Sequence, residues 1–200
     1  MKKIFIIGGM GAGKSMATKA LVEQGLPFID LDEVGHEVLT RDYVKADLVE
    51  AFGDDILDES GEVDRAALAA KAFVSDVRTS LLNSITMPRI EETFADRIDE
   101  LERGDHDAVV IEYSAFKNRN ISLAAKADCI IAVLAPLDVR IERAVAAGWD
   151  EDDVRRRIAQ QITDAERMEA ADVVFHNDST PDELKRQVVE WWNGFIAENS

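Results

Sequence analysis

The chain has 200 residues, 46% of them hydrophobic and 32% charged, with 40 acidic residues against 23 Lys and Arg and a formal net charge of −17. That length supports one compact core and is too short for two large independent domains. The negative field excludes sequence-independent binding to nucleic-acid phosphates, and a single cysteine, Cys129, excludes a disulfide framework or a cysteine zinc site.

The N-terminal run Ile4 to Ile7 is continuously apolar and β-branched, which predicts a strand buried on both faces of a parallel sheet. It is shorter than the roughly 7–15 apolar residues of a secretion signal, and no stretch reaches the roughly 18 of a membrane span. The expectation is a soluble, cytoplasmic protein that acts on neither membranes nor nucleic acids, with the monomer as the default state. From Lys14 to Gln24, apolar Met16, Ala17, Ala20 and Leu21 recur at helical spacing, and Gly25 ends that helix. Pro27-Phe28-Ile29 reads as a second strand running into Asp30-Leu31-Asp32. Further strands are expected at Ala108 to Ile111, Cys129 to Leu134 and Val173 to Phe175, with helical patterns between them. Cys129 lies inside an apolar run and reads as a buried small residue. Alternation of this kind implies right-handed crossovers and a five-stranded parallel sheet covered on both faces, a three-layer α/β/α fold.

Two stretches stand outside the alternation. Residues 63–103 read as helical, broken at Met87-Pro88, and too long for a simple crossover; an insertion beside the sheet would seat a second substrate. Residues 148–170 concentrate Arg155, Arg156, Arg157 and Arg167 in otherwise acidic sequence. They read either as a mobile helical lid over phosphates or as a solvated helix face. At the C-terminus, Thr180-Pro181-Asp182-Glu183 carries an N-cap, a first-turn proline and the glutamate of a capping box. Trp191, Trp192, Phe195 and Ile196 then form an apolar packing face.

Gly8-Gly9-Met10-Gly11-Ala12-Gly13-Lys14-Ser15 fits G-x-x-x-x-G-K-[ST] in full, the phosphate-binding P-loop, with a strand before it and a helix after. The glycines let backbone amides converge on phosphate oxygens, and the helix N-terminus faces the same anion. Lys14 adds a cation for the β- and γ-phosphates, and Ser15 a hydroxyl for Mg²⁺. The nucleotide-binding set is therefore Gly9, Gly11, Ala12, Gly13, Lys14, Ser15 and Met16. His176-Asn177-Asp178-Ser179 lacks the lysine of a guanine-reading N-K-x-D, so a small ATP-dependent kinase suits the chain better than a GTPase. In Asp30-Leu31-Asp32, at the ligand-facing end of a strand, one carboxylate is a candidate to accept the proton of an attacking hydroxyl and the other to hold Mg²⁺ through water. Either aspartate also reads as a helix N-cap.

These residues resemble the dephospho-coenzyme A kinase family over nearly the whole chain. The loop is similar to that family's G-G-I-G-S-G-K-S, and Phe28-Ile29-Asp30-Leu31-Asp32 to its V-I-D-A-D, whose second aspartate is taken as the base. Ala51-Phe52-Gly53 with Asp58 to Leu68 matches a stretch that generic kinases lack. Arg157-Ile158 with Gln161, and Arg167 with Ala171-Asp172-Val173-Val174 and Asn177, resemble its lid and last strand. The resemblance implies transfer of the γ-phosphate of ATP to the ribose 3′-hydroxyl of dephospho-CoA. Lys14, Asp32, Arg143 and Arg157 would be the catalytic candidates, and Arg167 a weaker one. The chain departs from the family pattern at Met87-Pro88, where His-Pro is usual, and at Ala147-Gly148, where Arg-Asp opens the lid. It also departs at Ile111-Glu112-Tyr113-Ser114, where Glu112 reads as a second Mg²⁺ carboxylate or as an altered wall of the acceptor pocket. The departures at Met87 and Glu112 keep open a related kinase for a nucleotide or nucleoside; a non-catalytic ATP-binding regulator is a third reading, which intact Lys14, Ser15 and Asp32 oppose.

Overall fold

The computed structural model describes residues 1–199, and the chain divides into two compact units. The first comprises Met1–Asp30 and the chain from Leu101 onward; the second is Leu31–Glu100.

The first unit is a parallel five-stranded sheet, β1 (Lys2–Gly8), β2 (Phe28–Asp30), β3 (Ala108–Glu112), β4 (Cys129–Leu134) and β5 (Val173–His176), in the order β2-β3-β1-β4-β5. All five expected strands form. Ile4 to Ile7 and all of β4 are buried, as their unbroken apolar runs require. Around the sheet lie α1 (Lys14–Val22), α6 (Leu137–Ala146), α7 (Glu151–Ala159), α8 (Asp164–Ala170) and α9 (Pro181–Asn199). Ile4, Ile6, Val110, Ile131 and Val133 pack against Ala17 and Leu21 of α1 and against Leu184, Val188 and Trp192 of α9. Trp191, Phe195 and Ile196 complete that layer, as the apolar pattern predicts. Cys129 is buried at the start of β4, and desolvation pushes its thiol up to about 12.

The expected capping box at the start of α9 is half made. The Thr180 hydroxyl accepts the Glu183 amide at 3.3 Å, while the Glu183 carboxylate accepts from Arg186 and Gln187. A complete box occurs where none was read, at Thr163 and Glu166, which start α8.

The second unit is helical: α2 (Leu31–Leu39), α3 (Asp42–Phe52), α4 (Arg65–Ala72) and α5 (Asp76–Glu102). The expected insert, 63–103, takes in α4 and α5. Val38, Val44, Leu48, Phe52, Ile56 and Leu68, most of them before that stretch, form the core of the second unit. The expected break at Met87-Pro88 is absent, because α5 runs unbroken through Pro88. Proline removes one backbone donor. Leu81, Leu82, Ile85 and Ile90 pack on the core to either side, and this packing holds the helix together. The Ser84 and Thr86 hydroxyls also donate to the Leu81 and Leu82 carbonyls, at 2.7 and 3.0 Å.

Candidate active site

The loop from Gly8 to Ser15 leaves the C-terminal end of β1, the central strand, and enters α1, so it lies at the end of a parallel sheet where ligands bind. Gly11 and Gly13 have φ of 74° and 101°, a left-handed backbone that favours glycine. Gly13 caps α1 without a side-chain hydrogen bond, and its carbonyl accepts the amides of Met16 and Ala17 at 3.1 and 3.2 Å. The amides of Lys14 and Ser15 lie in the first turn of the helix, where the dipole favours an anion. Met16 itself is partly exposed. Lys14 is only 9% exposed, more enclosed than a solvent-facing lysine.

The glycines clear room for protein as well as for phosphate. A Cβ on Gly9 would overlap the Arg140 guanidinium, and one on Gly11 the Arg140 carbonyl. A Cβ on Gly13 would overlap the Asn177 amide. The Asn177 amide donates to the Ala12 carbonyl at 2.9 Å.

Glu112 ends β3 beside β1 and is 7% exposed. Its oxygens accept the Ser15 hydroxyl at 3.1 Å and the Thr18 hydroxyl at 2.9 Å. Asp30 is in register with Glu112 on the neighbouring strand. The three residues expected to serve a metal therefore converge at one end of the sheet. Among the described residues no group of three or more His, Cys, Asp and Glu could hold an ion on its own. A hydroxyl and sparse carboxylates beside a phosphate loop fit Mg²⁺, which keeps waters and shares its ligands with substrate phosphates.

Arg143, on α6, is half-buried. Its Nη2 donates to Asn177 Oδ1 at 3.5 Å, and its buried Nη1 has no hydrogen-bond partner. That orphaned donor sits one residue away from the loop, through Asn177, and suits an incoming phosphoryl oxygen. Arg157 is not drawn into the loop: it stacks over the Trp149 ring at 4.8 Å and lies 3.8 Å from Asp153. Arg167 is 3% exposed and pairs with Asp164 at 2.6 Å, so it packs as an internal ion pair and not as a solvent-facing lid arginine. Asp32 falls in the first turn of α2, two residues past β2, and is exposed.

Sequence reasoning missed Arg140, Thr18 and the loop contacts of Gln161 and Asn177. Arg140 had a detectable signal. It falls on the stripe of α6 that buries Ile141 and Ala144, where an apolar residue is expected.

The family model for dephospho-CoA kinase matches residues 3–183. The chain belongs to the dephospho-CoA kinase family. A dephospho-CoA kinase of Corynebacterium glutamicum is 42% identical over 186 residues, covering 92% of each chain. One from Thermobifida fusca is 32% identical over 194 residues, covering 96% of this chain and 95% of the other. A solved structure from Thermus thermophilus superposes with a TM-score of 0.81 at 25% identity, covering 100% of this chain and 98% of that one. A dephospho-CoA kinase from Campylobacter jejuni, at 18% identity and a TM-score of 0.65, shares the fold. Membership of the dephospho-CoA kinase family makes this chain an ATP-dependent kinase with a small-molecule acceptor, and it accounts for the complete phosphate loop at the C-terminal end of β1.

Proposed function

We propose that this protein transfers the γ-phosphate of ATP to the ribose 3′-hydroxyl of dephospho-CoA, forming coenzyme A and ADP. The observation that carries the reading is the family match across residues 3–183, which includes an intact phosphate loop with Ser15 set against Glu112. A new bond forms between the 3′-oxygen and Pγ as the bond from Pγ to the β,γ-bridging oxygen breaks. The hydroxyl proton passes to the Asp32 carboxylate and from there to water. Gly9, Gly11, Ala12, Gly13, Lys14, Ser15 and Met16 line the β- and γ-phosphates, and Lys14 offsets their charge. The unpartnered Arg143 Nη1 and the Arg157 guanidinium take up charge on the transferring group. Arg157 would leave Trp149 to do so, with residues 148–170 acting as a lid. Ser15, Asp30 and Glu112 would hold Mg²⁺, directly or through water, and the ion would supply charge neutralisation at the phosphates. Helices within residues 63–103 would bind the acceptor.

No helix of the described residues is long and apolar enough to cross a membrane. The enzyme is proposed to act as a cytoplasmic monomer, and its net charge of −17 disfavours binding to nucleic-acid phosphates. A coupled ADP-release assay with dephospho-CoA, AMP, CMP and adenosine tests the acceptor. Release with dephospho-CoA alone is expected. Release only with a nucleoside monophosphate would make the protein a nucleotide kinase, and ATP binding without any release would make it a regulator.

A further inference from the structure

Arg140 touches no reacting group in the proposed transfer, yet it is 4% exposed and faces the phosphate loop. Its Nε donates to the Met10 carbonyl at 2.9 Å. Its Nη2 reaches Gln161 Oε1 at 3.4 Å and its Nη1 reaches Asp164 Oδ1 at 3.4 Å. Gln161 Oε1 also accepts the Met10 amide at 3.0 Å. Both backbone polar groups of Met10 are therefore engaged, one by Arg140 and one by Gln161. The Met10 side chain packs against Ile141 and Ala144 of α6 and Val154 of α7. Asp164 is shared with Arg167, which is itself buried.

A guanidinium taken out of water is tolerated only where its donors and charge are matched. Burial lowers the pKa of Arg140 and Asp164 opposes that shift, while the group stays protonated. The matching partners are the loop itself and the start of α8, so a displaced loop would strand the charge. Glycine at 9 and 11 is what admits Arg140 against the loop. A phosphate loop stabilises charge through amides fixed before the nucleotide arrives, and such first contacts depend on the groups that hold them.

We propose that Arg140 is a positioning residue of the nucleotide site. With Gln161 it clamps Met10 and so sets the curvature of the loop, and through Asp164 it ties the loop to α8. The inference rests on the loop being the ATP site, as in the reaction proposed above, but not on the identity of the acceptor.

The test is calorimetric titration of ATP and ADP onto the full chain and its Arg140→Met, Arg140→Lys and Gln161→Met variants. Thermal melts and steady-state kinetics accompany the titrations. The expected result is an ATP Kd raised about 10-fold or more in Arg140→Met and Gln161→Met, with the acceptor KM held within about twofold. Arg140→Lys, which keeps a cation and a donor, should recover part of the loss. If Arg140→Met does not fold, Gln161→Met decides, since Gln161 is uncharged and half-exposed. An unchanged ATP Kd in the deciding variant overturns the proposal. So does an equal loss for ATP and acceptor, which a general loosening of the fold would produce. Wild-type protein that binds ATP but phosphorylates no dephospho-CoA would sink the reaction above and leave this clamp standing.

Discussion

Gly9 and Gly11 both lie against Arg140, but substitution at each meets a different obstacle. At Gly9 an added methyl group meets the end of a side chain; at Gly11 it meets backbone, with φ already at 74°. Gly9→Ala should weaken ATP binding by displacing Arg140, with a modest loss of stability. Gly11→Ala adds the left-handed penalty of about 1–2 kcal/mol and an overlap that no rotamer relieves. Urea denaturation of the two variants should rank Gly11→Ala clearly below Gly9→Ala, and a reversed order would contradict the contact geometry. Two further substitutions probe chemistry. Lys14→Ala should abolish turnover while the melting curve stays cooperative, read by ADP release and circular dichroism. Asp32→Asn should slow single-turnover phosphoryl transfer by roughly 10²-fold or more if the carboxylate accepts the proton. An unchanged rate would leave Asp32 as a first-turn acidic residue of α2 and nothing more.

Helices carry the clearest differences between pattern and structure. Proline at 88 signalled a break that α5 does not show, because the signal is local and the restoring force is the packing of Leu81, Leu82, Ile85 and Ile90. Pro88→Ala should therefore stabilise the protein, by about 1 kcal/mol or more, since the helix is already formed and gains a backbone donor. A lower midpoint in urea would mean that the helix needs the proline bend. At α8, Thr163→Ala should cost about 1 kcal/mol through loss of the cap. The same box makes a pH-dependent contribution. Hydrogen bonds from the Thr163 hydroxyl and amide hold the Glu166 carboxyl below its ordinary value. Its stabilisation is complete above the unfolded-state value and fades as pH falls through the lower folded-state one. Melts of Thr163→Ala against wild type should converge towards acid. The strands were legible because continuous apolar runs can only be satisfied inside a parallel sheet. The loop was legible because eight consecutive residues contain it. Arg140 acts on a residue 130 positions away, Gln161 on one 151 away and Asn177 on one 165 away. No local pattern records such pairings; the one residue that betrayed itself was the arginine on an apolar stripe.

Over the whole chain, 40 acidic residues oppose 23 basic ones. Self-repulsion of that size is a long-range term that added salt weakens, as the screening length falls from about 30 Å at 0.01 M to about 3 Å at 1 M. The melting temperature should rise with sodium chloride over that range in the absence of nucleotide, as scanning calorimetry would detect. A fall would mean that surface ion pairs such as Arg186 with Glu183 and Glu190 outweigh the net charge. The burial of Cys129 acquires a different meaning beside the proposed acceptor, which ends in a thiol. Mixed disulfides form by thiolate attack, and the chain's one sulfhydryl is enclosed at the start of β4 and resists ionisation up to about 12. The folded enzyme thus handles a sulfhydryl cargo without offering it a partner for exchange. Incubation with the oxidised, disulfide form of dephospho-CoA should leave the native mass unchanged, and an adduct should appear only once the sheet is unfolded.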